Sequence, residues 1–214
     1  MLPDDYDFEA YKELVPMQPF DFQAIPIMAV DDCKYRTKTY IAGDWTGDSD
    51  LIDKLHEWND NNNLKLSFVD VHEVTQSSDQ TLNCNIKKRL RKRLSITKTF
   101  VLIVGEHTST VTSGACFNCK HYRKWKTMLP ACIKGYCIDN RSYIQYECEM
   151  AMKDYNDGLL KNIVVIYNGL INPNRSKCPE PLRWVGTHIG SDCRNDKGEL
   201  CWNYGEIRDA ILGK

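Results

Sequence analysis

From Lys38 onward the chain alternates between short, nearly continuous apolar runs and longer stretches with an apolar residue every three or four positions. Lys38–Gly43 (KTYIAG) is β-branched and aromatic and reads as a first strand. The loop Asp44–Asp50 ends in good helix-capping residues, and Leu51, Ile52, Leu55 and Trp58 follow at helical spacing until Asp60–Asn63 closes the helix. Leu64–Val71 (LKLSFVDV) reads as a second strand. Ser77, Ser78 and Asp79 offer caps for a helix in which Leu82, Ile86, Leu90 and Leu94 recur every four residues. Thr99–Gly105 (TFVLIVG) carries the clearest signal of a strand buried on both faces. After an irregular stretch at about 111–138, the pattern predicts a helix over about 141–157, a strand over 162–167 (NIVVIY), a fifth strand over 182–188 and a closing helix over 205–212.

Strands and helices in this alternation select an α/β fold with a parallel sheet and helices on both faces. In such sheets ligands sit outside the carboxyl ends of the strands, which directs attention to 43–48, 70–76, 106–109 and the start of the helix near Tyr143. Residues 1–36, punctuated by Pro3, Pro16, Pro19 and Pro26, have no clean period and read as an N-terminal extension, with 37–214 as the domain.

Bulk composition narrows the picture modestly. The 214 residues suit one domain, and 42% apolar with 27% charged residues is the balance of a soluble globular chain. A formal net charge of −1 gives no global pull toward nucleic acid or an acidic membrane. There is no apolar run of about 18 residues to span a bilayer. The acidic start MLPDDYDFEAYKEL lacks a basic segment followed by an apolar one, so no secretory leader is expected and the protein reads as cytoplasmic. In that setting ten cysteines point to reduced thiols or a metal rather than to disulfides.

The strongest metal-type spacing is Cys116-x2-Cys119-x12-Cys132-x4-Cys137, inside the 111–138 insertion. Two such pairs would complete a tetrahedral sulfur site, so a structural zinc is expected, against free thiols or one opportunistic disulfide. The same insertion carries Lys120-His121-Tyr122-Arg123-Lys124-Trp125-Lys126, which reads as a solvated basic loop, with a phosphate or nucleic-acid grip, a lid or a partner surface as alternatives. Lys87–Arg93 holds six cations around the apolar spine Ile86, Leu90 and Leu94, and reads as a packed helix whose charges face water.

The segment Ser142-Tyr143-Ile144-Gln145-Tyr146-Glu147-Cys148-Glu149-Met150 carries the most informative chemistry. Ile144, Cys148, Ala151 and Tyr155 form a core-facing stripe, with Glu147 on its shoulder and Glu149 turned toward solvent. Most helical glutamates are solvated and paired, but a carboxylate on the shoulder of a buried face is desolvated, its pKa rises, and it can orient a ribose hydroxyl or move a proton.

The strand TFVLIVG followed by Tyr143-Ile144-Gln145-Tyr146-Glu147 resembles the third strand and following helix of TIR domains, closest to the TIR-like proteins of bacterial Thoeris anti-phage systems. In that family an aromatic, usually Trp, stands four residues before the key Glu; here Tyr143 holds the place, and the insertion before the helix is long. The resemblance covers roughly 36–170 and implies a flavodoxin-like, three-layer parallel sheet. It further implies an enzyme that cleaves the nicotinamide–ribose bond of NAD, hydrolytically or by cyclisation to a nucleotide signal, with Glu147 catalytic. Around it, position suggests Trp45 for stacking, Asp44 for a ribose hydroxyl, backbone amides near Gly47 for phosphate, Asp70 to orient the second loop, and Tyr143 as the helix aromatic. Packing at Trp45 and a turn or capping role for Asp44 stand beside those readings. Expected partners are NAD and either a second TIR-like surface or a signalling or trigger protein, with nucleic acid and membrane disfavoured. The rival reading is a non-catalytic TIR-like assembly module that recognises a protein through the insertion. A flavodoxin-type or response-regulator domain is a third, weakened by the missing phosphate loop and the missing acidic cluster with a downstream Lys.

Overall fold

The computed structural model describes residues 36–61, 68–69, 82–124 and 129–214. The N-terminal extension apart from Arg36, together with Asp70, the capping residues 77–79, Trp125 and Lys126, lies outside them. The chain divides into Met1–Val30 and Asp31–Lys214, and every described residue belongs to the second unit.

Five strands form one sheet: β1 Lys38–Ala42, β2 Phe68–Val69, β3 Thr97–Val104, β6 Asn162–Tyr167 and β7 Thr187–Gly190. Their spatial order is β2-β1-β3-β6-β7, with every pairing parallel. Chain order reverses between β1 and β3, so the loops that leave these two strands diverge and open a crevice at the carboxyl edge. Among the described residues the long helices are α1 Ser49–Asp60, α2 Asn83–Leu94, α3 Tyr143–Asn156 and α4 Tyr204–Leu212.

The period of two along each strand divides the core. Tyr40, Ala42, Phe100, Leu102, Val104, Ile163, Val165 and Tyr167 face α2 and α3, where they meet Ile86, Leu90, Leu94, Ile144, Cys148 and Ala151. Ile41, Val101, Ile103, Val164 and Ile166 face α1 and α4, against Leu51, Ile52, Leu55, Trp58, Ile207 and Ile211. The inner strands are buried on both faces, which is why β3 and β6 read as unbroken apolar runs. Each fully buried Leu, Ile or Phe contributes about 1.5–3 kcal/mol of transfer free energy.

Four expectations need correction. The fifth strand begins later than predicted, at Thr187, because Pro179 and Pro181 hold the chain in a 3-10 turn at Glu180–Leu182. Beyond it lies an unforeseen antiparallel hairpin, β8 Asp192–Arg194 and β9 Leu200–Trp202. On α3, Tyr155 is 40% exposed and Asp154, 1% exposed, takes the buried place after Ala151. Asp154 is drawn inward by two cations, accepting from Arg36 Nη1 and Arg91 Nη1 at 2.8 Å each.

The basic helix is the fourth correction, since its charges are not uniformly solvated. Lys87 is buried, donates to the carbonyls of Asp139 (3.2 Å) and Arg141 (2.7 Å), and pairs with the Asp139 carboxylate. It fastens α2 to the returning end of the insertion, whose own regular structure is a 3-10 turn at Cys116–Asn118 and the two-residue strands β4 Tyr122–Arg123 and β5 Ala131–Cys132.

Candidate active site

Helix α3 starts where predicted because Ser142 caps it, its hydroxyl accepting from the Gln145 amide at 3.1 Å. Tyr143 then seats the helix against its surroundings. Its amide donates to the Ser113 carbonyl at 2.8 Å and its hydroxyl to Asn83 Oδ1 at 3.0 Å, joining insertion, α2 and α3. Gly114 makes this possible: at φ +94° a Cβ would lie 2.4 Å from the Tyr143 ring.

One turn further, Glu147 points into the layer between α3 and the sheet and is 4% exposed. Its Oε1 accepts a hydrogen bond from the Tyr40 hydroxyl of β1. Tyr40 is itself fully buried and stacks on Phe100, ring centroids 5.6 Å apart. Burial pushes the Glu147 carboxyl up to about 7, and the Tyr40 hydrogen bond offsets only part of that rise. The phenol is raised as well, first by burial and then by the carboxylate beside it. A glutamate poised near neutrality beside a phenol can hold a sugar hydroxyl, or carry negative charge toward a developing cation, at ordinary pH.

The Asp44–Asp50 loop lies at the carboxyl end of β1. Asp44 acts within it, accepting from the Thr46 amide (3.2 Å) with its side chain and from the Asp48 amide (2.7 Å) with its carbonyl. This is the turn role weighed for it from sequence. A Cβ at Gly47 would sit 3.0 Å from Asp44 Oδ2, so glycine lets the loop close tightly. Trp45 packs against the α1/α4 core cluster, whereas Glu147 and Tyr143 belong to the α2/α3 layer. The expected site residues therefore fall into two groups on opposite faces of the sheet, and Asp70 lies outside the described residues.

Sequence reasoning missed the partner of the glutamate, Tyr40, whose strand position offered only the β-period as a clue. It also missed Asp48, which is 2% exposed. Asp48 Oδ1 accepts from Asn168 Nδ2 at 3.1 Å, and the same amide donates to Asp50 at 3.0 Å. Burial raises the Asp48 carboxyl above its usual range, with the charges of Asp44 and Asp50 adding to the rise against the Asn168 hydrogen bond.

Two cavities flank these groups. One, of about 260 Å³, opens at the start of α3 among Thr108, Ser109, Ser142, Gln145, Glu149 and Arg183. The other, of about 330 Å³, opens beyond β6 among Asp50, Asn168, Asp192, Cys201 and Trp202. Glu147 lines neither.

The expected zinc centre does not assemble. Among the described residues, no three or more His, Cys, Asp or Glu side chains gather so as to hold a metal ion. Cys116, Cys119 and Cys132 are half-buried and Cys137 is exposed. Cys116 Sγ accepts the Asp139 amide at 3.2 Å, which ties the start of the insertion to its returning end. Nor is any described helix long and apolar enough to cross a membrane.

The sheet order, with helices on both faces and a carboxylate-bearing helix after the third strand, defines a flavodoxin-like α/β domain. Residues 40–112 match the family model described as Thoeris protein ThsB, TIR-like domain. The matched stretch runs from β1 through β3 and ends before α3, so Glu147 lies beyond it. No curated protein matches the chain.

Proposed function

We propose that the domain cleaves the nicotinamide–ribose bond of NAD as part of Thoeris anti-phage defence, with Glu147 as the carboxylate that acts on the ribose. The observation that carries the reading is a glutamate buried in the α3 layer, raised to about 7 and hydrogen-bonded by a tyrosine, with no cation paired to it among the described residues. Burying a carboxylate without a countercharge is costly, and such groups concentrate where chemistry uses them. In its ionised form Glu147 would hold a ribose hydroxyl and stabilise positive charge developing at the anomeric carbon as nicotinamide leaves. Water would then complete hydrolysis to ADP-ribose, or a hydroxyl of the same molecule would close a cyclic product. The Tyr40 hydroxyl would orient the carboxylate through Oε1.

A second reading has its own support. Glu147 is 4% exposed and lines neither cavity, as suits a structural residue in a TIR-like module that assembles or binds a protein through its insertion. Nicotinamide release from NAD by the purified protein, compared with Glu147→Gln, separates the two. Catalysis predicts a fall of at least about 100-fold in the variant, the scale of a general acid–base group. Equal release by both proteins, in the presence of the activating signal, would leave the assembly role.

A further inference from the structure

The β8–β9 hairpin places two cysteines face to face. Cys193 and Cys201 are directly opposed in the antiparallel register, between Asp192↔Trp202 and Arg194↔Leu200. Their sulfurs are 3.0 Å apart. Opposed residues of an antiparallel pair have Cα atoms about 4.5–5.5 Å apart, inside the range that a disulfide tolerates, and a disulfide bond is about 2.05 Å long. Closing the remaining gap takes a side-chain rotation and no movement of the strands.

The hairpin is tied on both sides of the pair. Toward its tip the Asn195 amide donates to the Glu199 carbonyl at 3.0 Å, and at its base the Asn203 amide donates to the Ser191 carbonyl at 2.8 Å. Cys201 lines the 330 Å³ cavity beside Asp50, Asn168 and Trp202, while Cys193 does not. A small oxidant entering that cavity therefore meets Cys201 first.

We infer that Cys193 and Cys201 form a modification site for peroxides, a dithiol that converts reversibly to a cross-strand disulfide. The Cys201 thiolate attacks one peroxide oxygen, the O–O bond breaks, and Cys201 becomes a sulfenic acid as the peroxide leaves as water or alcohol. The Cys193 sulfur then attacks Cys201 Sγ, the S–O bond breaks, and the oxygen departs with the thiol proton as water. Two thiols and one peroxide give one disulfide and two molecules of water, or one of water and one of alcohol. The two sulfurs supply the two electrons that reduce the peroxide.

The division of roles follows from access. Either thiol can donate in the 3.0 Å contact, but Cys201 is the one that lines the cavity, so Cys201 meets the peroxide and Cys193 resolves it. The spacing was invisible as a motif, because two cysteines eight apart signify nothing until a turn folds one strand onto the other. The bridge would close the 193–201 loop and tie the flanking Asp192 and Trp202 together at its base, fixing the wall that faces Asp50 and Asn168.

The experiment treats the full chain with one equivalent of hydrogen peroxide, blocks free thiols with an alkylating reagent and digests with trypsin. Cleavage after Arg183, Arg194, Lys197 and Arg208 puts the two cysteines on separate peptides, 184–194 and 198–208. The expected product is these peptides joined, two hydrogens lighter than their sum, and separated by dithiothreitol. In Cys193→Ser, Cys201 should accumulate as a sulfenic acid captured by a cyclic 1,3-dione, several-fold above the exposed Cys137 of the same molecule, an internal control. Recovery of both peptides as alkylated monomers under conditions that oxidise Cys137 would overturn the proposal, as would dione labelling of Cys201 no greater than that of Cys137. The wild-type peptide map needs no variant, and neither readout depends on NAD cleavage.

Discussion

A carboxyl group raised from 4.5 to about 7 binds its proton more tightly in the folded protein than in the unfolded chain. For Glu147 the sign is therefore fixed. Its protonated form stabilises the fold below pH 4.5, and that contribution falls away as pH rises through 7. At about 1.4 kcal/mol per unit of pKa the span is on the order of 3 kcal/mol. Chemical denaturation of the wild type should show stability declining between pH 5 and 8 by an amount of this order. Glu147→Gln keeps an acceptor for Tyr40 and cannot ionise, so its profile over the same interval should be flatter and its stability at pH 8 higher than that of the wild type. A variant more stable yet inactive would assign the lost turnover to chemistry and not to unfolding. The same protonation should appear kinetically: if the ionised form holds the ribose, kcat/KM rises with pH and levels off above about 7. Glu147 was legible from sequence because its spacing from Tyr143 and Ile144 set it beside a buried stripe. Tyr40 was not, since nothing local says which of several strand residues a helix on the next layer will meet.

At the scale of elements, the α2/α3 layer is held as much by buried charge as by apolar packing. Arg36, just before β1, and Arg91 of α2 converge on Asp154 near the end of α3, and the Arg36 and Asp154 side chains are 7% and 2% exposed. Asp154→Ala leaves one buried cation without its anion and should cost about 3–5 kcal/mol, read as a shift in the denaturant midpoint. Arg91→Ala should cost less, because that side chain is 35% exposed and water reaches it once the pair is lost. The inner strands and the long helices were readable from apolar period, with β6 recovered at Asn162–Tyr167, whereas the β8–β9 hairpin was not. Period fails where a polar residue wins a buried position through a distant partner. It placed Tyr155 inward and passed over Asp154, and it put all the α2 cations in water although Lys87 spans to Asp139 and Arg141. Those partners lie more than fifty residues away in the chain. Cysteine spacing is a different case: Cys116–Cys137 has zinc-like intervals, and among the described residues no three or more His, Cys, Asp or Glu side chains gather so as to hold a metal ion.

Across the whole molecule, the candidate chemistry is distributed over both faces of one sheet, and the carboxyl edge joins them. Asp48, from the loop after β1, reaches beneath Gly105 at the end of β3 and takes a hydrogen bond from Asn168 after β6, linking three strand ends through one buried carboxylate. Gly105 permits this, since a Cβ there would lie 2.0 Å from Asp48 Oδ1. Gly105→Ala must therefore displace the carboxylate, and overpacking of this kind costs about 1–3 kcal/mol. Asp48→Ala alone also costs stability, because it strips the Asn168 amide of one acceptor. If the clash is what Gly105→Ala suffers, the double variant should be less destabilised than the sum of the single ones, with a coupling of at least about 0.5 kcal/mol in denaturation experiments. Strict additivity would mean that the glycine serves some other purpose, and the three loops would then be set independently. A measured coupling would mean that the β1 loop, which carries Trp45 on one face, and the β3 edge that leads toward Glu147 on the other are positioned by the same buried contact.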